Sequence, residues 1–227
     1  MAREEGPPAG RLSETAEHYL EAIYYIAHEG DAVRPSGLAE WLGVSAPTVT
    51  VTLHRLARDG WLEVSAGRDV VLTPAGEAAA AAIVRRHRIL ERWLVDVLGL
   101  DWAVADREAS LLAHGASELV TARLDEQAGH PRTCPHGNPI PGRATPPGGL
   151  VRLDRLEPGR RAVVSRISEV AEHEAPQLLR RLGDVGLTPG TGVEVRAPGV
   201  PVAVEVGGHP VNLEVQAARA VWVAVED

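Results

Sequence analysis

Hydrophobic residues in the first third of the chain recur every three or four positions, the spacing that predicts amphipathic helices. Three such segments follow one another at 13–30, 34–44 and 45–62, and Ser36 is the expected N-cap of the second. The pattern then changes to "LEVSAGRDVVLT", which predicts two short strands around a glycine turn. A helix, a helix-turn-helix and a hairpin in this order are typical of a winged helix-turn-helix, which we predict over 13–73.

Three further helical patterns follow the hairpin. The first, "PAGEAAAAAIVRRHRILERWLVDVL", starts at Pro74 and runs to about residue 98. The segments "DWAVADREASLLAHGA" and "SELVTARLDEQAG" come next. Together they predict a small helical domain over 74–129. Residues 130–149 are dense in Pro and Gly, which predicts a linker or an extended connector.

From residue 150 onward, apolar and polar residues alternate instead. Valine-rich runs such as "RAVVSRI", "GVEVRA", "VAVEV", "VNLEV" and "AVWVAV" are separated by Pro-Gly and Gly-Gly turns, and the amphipathic stretch "APQLLRRLGDVG" interrupts them. A period of two with turn residues at short intervals predicts strands. We therefore predict a small β-barrel with a short helix over 150–227, in a chain that is mainly α with small β.

Composition narrows the class of protein. The 227 residues include 44% hydrophobic amino acids, enough for a globular core, and charges interrupt each apolar cluster before it reaches membrane-spanning length. The segment "MAREEGPPAG" begins acidic and Pro-rich and has no apolar core region, so we predict that residues 1–12 form a flexible N-terminus that is not a secretory signal. Cys134 is the single cysteine, which fits a reducing compartment. We expect a cytoplasmic protein with no membrane partner.

The charge of the chain limits how it could bind DNA. A net charge of −8 argues against binding through bulk charge, so local basic residues or a bound cation would be needed. The second helix of a helix-turn-helix lies in the major groove with its N-terminal residues at base edges. The alternative, an ordinary helical pair with no DNA role, is disfavoured by the hairpin that follows. The predicted base-facing residues are Ser45, Ala46, Pro47, Thr48 and Thr50, and Arg55 and Arg58 suit phosphate contacts.

His87 and Glu91 stand one turn apart on the long helix, where both side chains can bind one metal ion. Taken alone, such a pair is more often an ion pair with neighbouring arginines. The next predicted helix adds a second polar stripe, and two facing stripes of this kind form metal sites in helical bundles. Nitrogen and oxygen ligands suit Mn(II), Fe(II), Co(II) or Zn(II). The further candidates are Asp106, Ser110 and His114 on that helix, with His18 and Glu21 on the first helix.

With these motifs in place, the sequence resembles the diphtheria toxin repressor family of iron- and manganese-dependent regulators. The segments that carry the resemblance are "TAEHYLEAIY", "LGVSAPTVTVTLHRLARDGWL", "RRHRILERWL", "GNPIPG" and the C-terminal β-rich part, which together span nearly the whole chain. The resemblance implies a winged helix domain, a helical dimerisation and metal-binding domain, and a C-terminal SH3-like (FeoA-like) domain. It also implies a homodimer that binds palindromic DNA operators when loaded with metal.

The resemblance further implies an ancillary metal site. The third ligand of this site is a histidine in the iron-sensing branch, so Asp106 departs from the pattern and would make the site harder and more anionic. The last two ligands reach in from the C-terminal domain in the family. The implied ligands in this sequence are His87, Glu91, Asp106, Glu174 and Gln177.

A primary site is implied as well, with weaker matches. His114 matches the family's histidine, and His18 stands where the family has Met or Asp. Ser110 and Ala113 replace two family ligands, whereas Glu21 matches a carboxylate of the manganese-sensing branch. Two interpretations stay open. Either His18, Glu21, Ser110 and His114 form an altered site, or this site has lost metal binding.

These observations lead to one function and two alternatives. The resemblance implies a repressor of metal-homeostasis genes that is activated by Fe2+ or Mn2+, with Zn2+ or Co2+ as other candidate ions. The first alternative is a family member with a degenerate primary site, which binds DNA constitutively or senses another signal. The second is a metalloenzyme, but the sequence has no H-E-x-x-H motif, nucleophile elbow or Gly-rich phosphate loop. We therefore predict no catalytic residue.

Cys134 and His136 form a C-x-H pair within "TCPHGNPIPG". Such a pair can bind a metal ion, but in the family this loop resembles a structural joint between domains. We favour the structural role for both residues at this point.

Overall fold

The computed structural model describes residues 12–67, 69–145, 147–175, 177–197 and 199–226, except for the side chains of Glu172 and Glu174. The chain forms two compact units, and the boundary between them falls after Arg85, inside the long helix. Of the predicted flexible segment 1–12, all but Leu12 lies outside the described residues. Among the residues described, no helix is both long and apolar enough to cross a membrane.

In its described residues, the first unit contains three complete helices, a two-stranded hairpin and the first half of the long helix, and the helices with the hairpin match the predicted winged helix-turn-helix. Ser13 and Ser45 begin the first and third helices by accepting hydrogen bonds from the backbone N–H groups of Ala16 and Thr48. Gly43 ends the second helix with a left-handed φ of 61°. The elements are α1 Glu14–His28, α2 Pro35–Leu42, α3 Ala46–Arg58, β1 Leu62–Val64 and β2 Val70–Leu72.

The start of α2 differs from the prediction. Ser36 is not the N-cap, because the helix already begins at Pro35 and Arg34 occupies the cap position without a side-chain hydrogen bond. Proline suits the first helical position, since its fixed φ is already helical and its missing N–H would have no partner there. Pro35 thus favours the start of α2 without a capping hydroxyl.

The core of the first unit comes from the apolar faces of these helices. Leu20, Ile23 and Leu38 are completely buried, and burial of such a side chain stabilises the fold by about 1.5–3 kcal/mol relative to exposure. On α3, Val49 and Leu53 face this core. The opposite, polar face of α3 is therefore left at the surface.

Helices follow in the next part of the chain, as predicted. Thr73 accepts a hydrogen bond from the Gly76 N–H at the start of the long helix, and Asp101 and Ser117 cap the two helices that follow. Leu90 and Leu94 on the long helix pack with small alanines of the next one. These elements are α4 Pro74–Asp96, α5 Trp102–Ala113 and α6 Glu118–Gln127.

In its described residues, the C-terminal part is a six-stranded antiparallel sheet with three short helices. Alternate valines of its strands point into one core, as the period of two predicts. The strands are β3 Val151–Arg152, β4 Arg161–Ile167, β5 Gly192–Ala197, β6 Val202–Val206, β7 His209–Leu213 and β8 Val221–Val225. Their order in the sheet is β3-β8-β4-β5-β6-β7. The helices are α7 Glu169–Glu174, α8 Leu178–Asp184 and α9 Val215–Ala220, and a 3-10 turn spans Leu153–Arg155.

Two of these short helices differ from the alternating pattern. The run "VNLEV" does not continue as a strand, because β7 ends at Leu213 and α9 starts at Val215. Three of the six residues in α9 are alanine, the residue with the highest helix propensity. The helix α7 also precedes the predicted amphipathic stretch. Both helices have only six residues, fewer than two turns, which is too short for periodicity to reveal.

Residues 130–145 form a compact loop, so the expected extended connector is wrong for this part of 130–149. Thr133 and Pro139 pair as an isolated β-bridge, and the N–H of Cys134 donates to the Asn138 carbonyl over 2.9 Å. The side chains of Cys134, His136, Asn138 and Ile140 are buried. The Pro and Gly residues here form a tight turn and not an extended linker.

Candidate metal centre

The polar residues of α4 between positions 87 and 92 all face one side of the second unit. His87 and Glu91 lie one turn apart, and Arg88 and Arg92 form a parallel pair next to them. His87 and Arg88 are each 5% exposed and Glu91 is 2% exposed. Charged groups at this depth need partners, since burying an isolated charge is strongly unfavourable.

The structure brings together three of the five predicted ancillary ligands. The Nε2 atom of His87 lies 3.8 Å from Oε2 of Glu91 and 3.5 Å from Oδ1 of Asp106. The ligand atoms of these three residues all lie within 4.8 Å of one another. We call His87, Glu91 and Asp106 the nitrogen–oxygen group. One imidazole nitrogen and two carboxylates are donors that fit Mn2+, Fe2+, Co2+ or Zn2+.

The electrostatics of Asp106 reflect this arrangement. Burial opposes ionisation of its carboxyl, but the hydrogen bond with His87 and the charges of His87, His136 and His173 together outweigh burial, so the pKa of Asp106 lies below its usual value. Asp106 is therefore a carboxylate at neutral pH, which is the form that binds metal.

A second group of candidate ligands shares Glu91. Cys134 and His136 place their ligand atoms within 4.8 Å of each other and of a Glu91 oxygen. Nδ1 of His136 lies 3.0 Å from Oε1 of Glu91, and Nε2 of His136 lies 3.2 Å from the carbonyl oxygen of Trp102. We call Glu91, Cys134 and His136 the thiol group. Burial, and next the charge of Glu91, raise the pKa of the Cys134 thiol to about 11.

Sequence reasoning missed that Glu91 joins this second group. The C-x-H pair was visible, but it stands more than forty residues after Glu91. Nothing in helical periodicity shows which loop folds back on a helix. The signal that could have found it is the pair of arginines one turn apart, since buried or half-buried arginines on the same face need acceptors from another segment.

Those arginines attach the loop to α4. Arg92 donates from Nε to the Thr133 carbonyl over 3.1 Å and from Nη2 to the Cys134 carbonyl over 3.2 Å. Arg88 donates to the Pro139 carbonyl and, from Nη2, to Oε1 of Glu169 over 2.6 Å. Burial raises the pKa of Glu169, Arg88 lowers it, and the negative charge of Glu91 raises it, with a net upward shift.

The loop also packs directly on strand β4. Gly137 has a φ of 86°, and a Cβ atom at this position would lie 2.1 Å from the Ser165 carbonyl oxygen. On either side of it, the His136 carbonyl accepts from the Ile167 N–H, and the Asn138 side-chain amide donates to the Ile167 carbonyl, both over 2.9 Å. Only glycine fits this close approach, so Gly137 sets where His136 points.

The remaining predicted ancillary ligands come from α7 and α8. Glu174 is the last residue of α7, and its side chain lies outside the described part of the chain. Gln177 occupies the cap position of α8 and is exposed. Their role as ligands stays a prediction.

The predicted primary-site residues are divided between the two units. In the first unit, His18 is partly buried and Glu21 accepts a hydrogen bond from the Tyr25 hydroxyl over 3.2 Å. In the second unit, Ser110 is exposed near the end of α5 and His114 is its C-cap residue. The primary site stays a prediction.

The predicted DNA-contacting face of α3 is exposed along its length. Ser45 and Thr48 share a hydrogen bond of 2.8 Å, and the Thr50 hydroxyl donates to the Ala46 carbonyl over 3.0 Å. Sequence reasoning missed Val51, which is 72% exposed on the same helix. The exposed predicted residues are Ser45, Ala46, Pro47, Thr48, Thr50, Arg55 and Arg58, and Arg58 also pairs with Asp59.

Three family models match successive parts of the chain. The "Iron dependent repressor, N-terminal DNA binding domain" matches residues 11–70. The "Iron dependent repressor, metal binding and dimerisation domain" matches residues 73–142, which include both ligand groups. The FeoA domain matches residues 151–225.

Several known relatives align with this chain over most of their own length. The iron-dependent repressor IdeR of Mycobacterium tuberculosis H37Rv is 40% identical over 209 residues, which cover 83% of this chain and 90% of the relative. The diphtheria toxin repressor of Corynebacterium diphtheriae is 34% identical over 195 residues, covering 81% and 85%. A solved structure of a manganese-dependent transcriptional repressor in complex with manganese has a TM-score of 0.84 at 36% identity, covering 93% of this chain and 100% of that one.

Proposed function

The chain belongs to the iron-dependent repressor family, and from this premise we propose that it is a homodimeric, cytoplasmic repressor that binds a DNA operator when loaded with Fe2+ or Mn2+. The observation that carries the proposal is the nitrogen–oxygen group. Its three donors are close together in the segment that matches the metal-binding and dimerisation domain.

The donors of this group fit a divalent ion. His87, Glu91 and Asp106 would hold it, and Glu174 and Gln177 remain candidates for further ligands. Two carboxylates beside one imidazole leave an excess of negative charge in a buried place, which a divalent cation compensates. The bound ion supplies this positive charge and Lewis acidity.

We infer that the exposed face of α3 recognises DNA. Small hydroxyl and methyl groups at its N-terminal end, among them Ser45, Thr48 and Thr50, can contact base edges and thymine methyl groups in the major groove. Few side chains there can contact a base through two hydrogen bonds, so we infer that DNA shape contributes to specificity. Arg55 and Arg58 are placed for phosphate contacts.

We also infer that the chain regulates and does not catalyse. In the described residues, both ligand groups consist mainly of side chains that are at most about 5% exposed, which leaves little access for a substrate. The one partly exposed donor is Asp106.

Operator retention tests the proposal. Operator sequences are first selected from random duplex DNA with the Mn2+-loaded protein, and affinity is then measured by fluorescence anisotropy with Mn2+ and after chelation. We expect chelation, or His87→Ala in the presence of Mn2+, to weaken operator binding at least about tenfold, because loss of a ligand weakens metal binding at least as much as loss of an outer partner.

The matched control is His209→Ala, which removes an exposed histidine from β7 and should leave retention unchanged. Equal retention by the wild type before and after chelation would contradict the proposal. That result would favour the alternative of a family member that binds DNA constitutively. His114→Ala in the same assay tests the primary site.

A further inference from the structure

Val51 is the residue of α3 that points most directly away from the core of the first unit. At about 100° per residue around a helix axis, it lies about 160° from Val49 and from Leu53, which are both buried. Its side chain is 72% exposed in the middle of the helix. Val51 is therefore at the centre of the face that the second helix of a helix-turn-helix presents to the major groove.

The neighbours of Val51 on this face differ in chemistry from one end to the other. Pro47 lies one turn before it, and Arg55 lies one turn after it. Arg58 follows close to two turns away, and all four side chains are exposed. The arginines suit phosphates, whereas Pro47 and Val51 present only carbon atoms. The centre of the face is thus apolar and its C-terminal end is basic.

The hydroxyl groups beside Val51 already have partners within α3 and its cap. Ser45 and Thr48 share a hydrogen bond of 2.8 Å, and the Thr50 hydroxyl donates to the Ala46 carbonyl over 3.0 Å. Each hydroxyl has one proton to donate, so only one of these three can donate to a base edge without losing a bond in the helix. Apolar contact is therefore the main means by which this part of α3 can distinguish bases.

The apolar group that a base pair presents in the major groove is the methyl group on C5 of thymine. Cytosine presents the same group at the same place once it is methylated on C5. Contact between such a methyl group and the exposed methyl groups of Val51 removes both from water. Burial of one group of this size favours binding by about fourfold.

We propose that Val51 recognises a pyrimidine with a 5-methyl group, thymine or 5-methylcytosine, at one position in each operator half-site. The proposal rests on the proposed function of the chain as an operator-binding repressor and adds a residue that determines specificity. Valine has no hydrogen-bond donor or acceptor in its side chain, so loss of the methyl group should weaken binding without breaking a hydrogen bond. Methylation of cytosine at this position should strengthen binding.

DNA shape is the competing explanation for any effect of thymine methyl groups. Removing such a group also alters stacking and groove geometry, and proteins respond to both. Single exposed apolar residues are moreover common on protein surfaces without a role in binding. In either case, the effect of the methyl group on affinity would not depend on the side chain at position 51.

Replacement of thymine by deoxyuridine separates the two explanations. Each thymine of an operator selected with the Mn2+-loaded, full-length chain is replaced in both half-sites, and affinity is measured by fluorescence anisotropy in saturating Mn2+. We expect one position where the wild type loses at least about tenfold, from about fourfold per half-site. At that position Val51→Ala should bind both operators equally. An equal loss in the variant, or no sensitive position in the wild type, would overturn the proposal.

The Val51→Ala variant should fold normally, because the side chain is exposed and alanine has the highest helix propensity. Circular dichroism and thermal unfolding check this. The control is Val200→Ala, which removes the same two methyl groups from a valine that is 90% exposed in the C-terminal part. It should keep the wild-type response to every deoxyuridine.

Cytosine at the sensitive position tests the methyl group by itself. Operators with cytosine or 5-methylcytosine there differ only in this group. We expect the wild type to bind the methylated operator at least about tenfold more tightly, and Val51→Ala to bind both equally. Equal affinities in the wild type would contradict recognition of the methyl group, whichever base carries it.

The outcomes distinguish this proposal from the proposed function. If binding of the operator depends on Mn2+ but no methyl group matters, only the role of Val51 is wrong. If chelation leaves operator binding unchanged, the metal dependence is wrong, and the comparison of the wild type with Val51→Ala still decides the base contact. Failure to select any operator would overturn both.

Discussion

At the scale of single residues, Arg88 balances the charge of the candidate metal centre. Its guanidinium is buried and donates to Glu169 from both Nε and Nη2. Glu91 lies close enough that its charge disfavours ionisation of Glu169. Removing the arginine would thus leave a buried carboxylate without its cation.

Arg88→Met should lower the free energy of unfolding by about 3–5 kcal/mol, the usual cost of breaking a buried ion pair from one side. Urea unfolding followed by circular dichroism measures this. The control is Arg107→Met, because Arg107 is 70% exposed beside Glu108 and should change stability by no more than about 0.5 kcal/mol.

The double variant Arg88→Met with Glu169→Gln identifies the cause. It should recover part of the lost stability, since the neutral amide no longer carries an unpaired charge. If the double variant is as unstable as the single one, the loss comes from packing or from the hydrogen bond to the Pro139 carbonyl, and the charge argument is wrong.

At the scale of elements, the loop over residues 133–139 brings the two ligand groups together. It is tied to α4 by Arg88 and Arg92 and to β4 through Asn138. Gly137 permits the close approach to β4, so its replacement tests how firmly the loop is held.

Gly137→Ala should destabilise the protein by at least about 2 kcal/mol, because an added Cβ meets the Ser165 carbonyl and the residue keeps a left-handed φ. Gly142→Ala is the matched control. Its φ of 79° is also left-handed, but nothing lies within 4 Å of the new Cβ, so only about 1–2 kcal/mol is expected from backbone strain. Thermal unfolding of both variants measures the difference.

Equal losses in the two variants would mean that the loop moves away from β4 without resistance. A larger loss in Gly137→Ala would support the loop as the element that positions His136.

At the scale of the whole molecule, α5 and α6 present apolar side chains that are exposed among the described residues. Leu111 on α5 is 72% exposed and Leu119 on α6 is 71% exposed. Large apolar side chains exposed to this extent are typical of association sites. Both residues belong to the segment that matches the dimerisation domain. Leu112 and Val120 are exposed next to them.

We therefore expect the double variant Leu111→Glu with Leu119→Glu to weaken dimerisation at least about 100-fold, because each subunit would bury carboxylates without partners. Sedimentation equilibrium measures the dissociation constant. Val200→Glu is the control, since Val200 is 90% exposed in the C-terminal part and should leave the dimer intact. An unchanged dissociation constant in the double variant would exclude this face as the interface.

The sequence predicted those features that depend on neighbours along the chain. Periodicity and caps identified α1, α3 and α4, and the one-turn spacing of His87 and Glu91 placed both on a single face. Asp106 was found because α5 follows α4 directly. Short helices such as α7 and α9 were not predicted, since one or two turns contain too few residues to show a helical period of hydrophobic positions.

By itself, then, the sequence determined the winged helix, the helical segments, the alternating strands and one ligand group, because local spacing controls which side chains share a face. Only the tertiary structure decided that the Pro- and Gly-rich loop folds back on α4, where Cys134 and His136 lie beside Glu91. The reason is physical. Hydrogen bonds from Arg88 and Arg92 to distant carbonyls set this contact, and no local pattern encodes the partner of a long-range hydrogen bond.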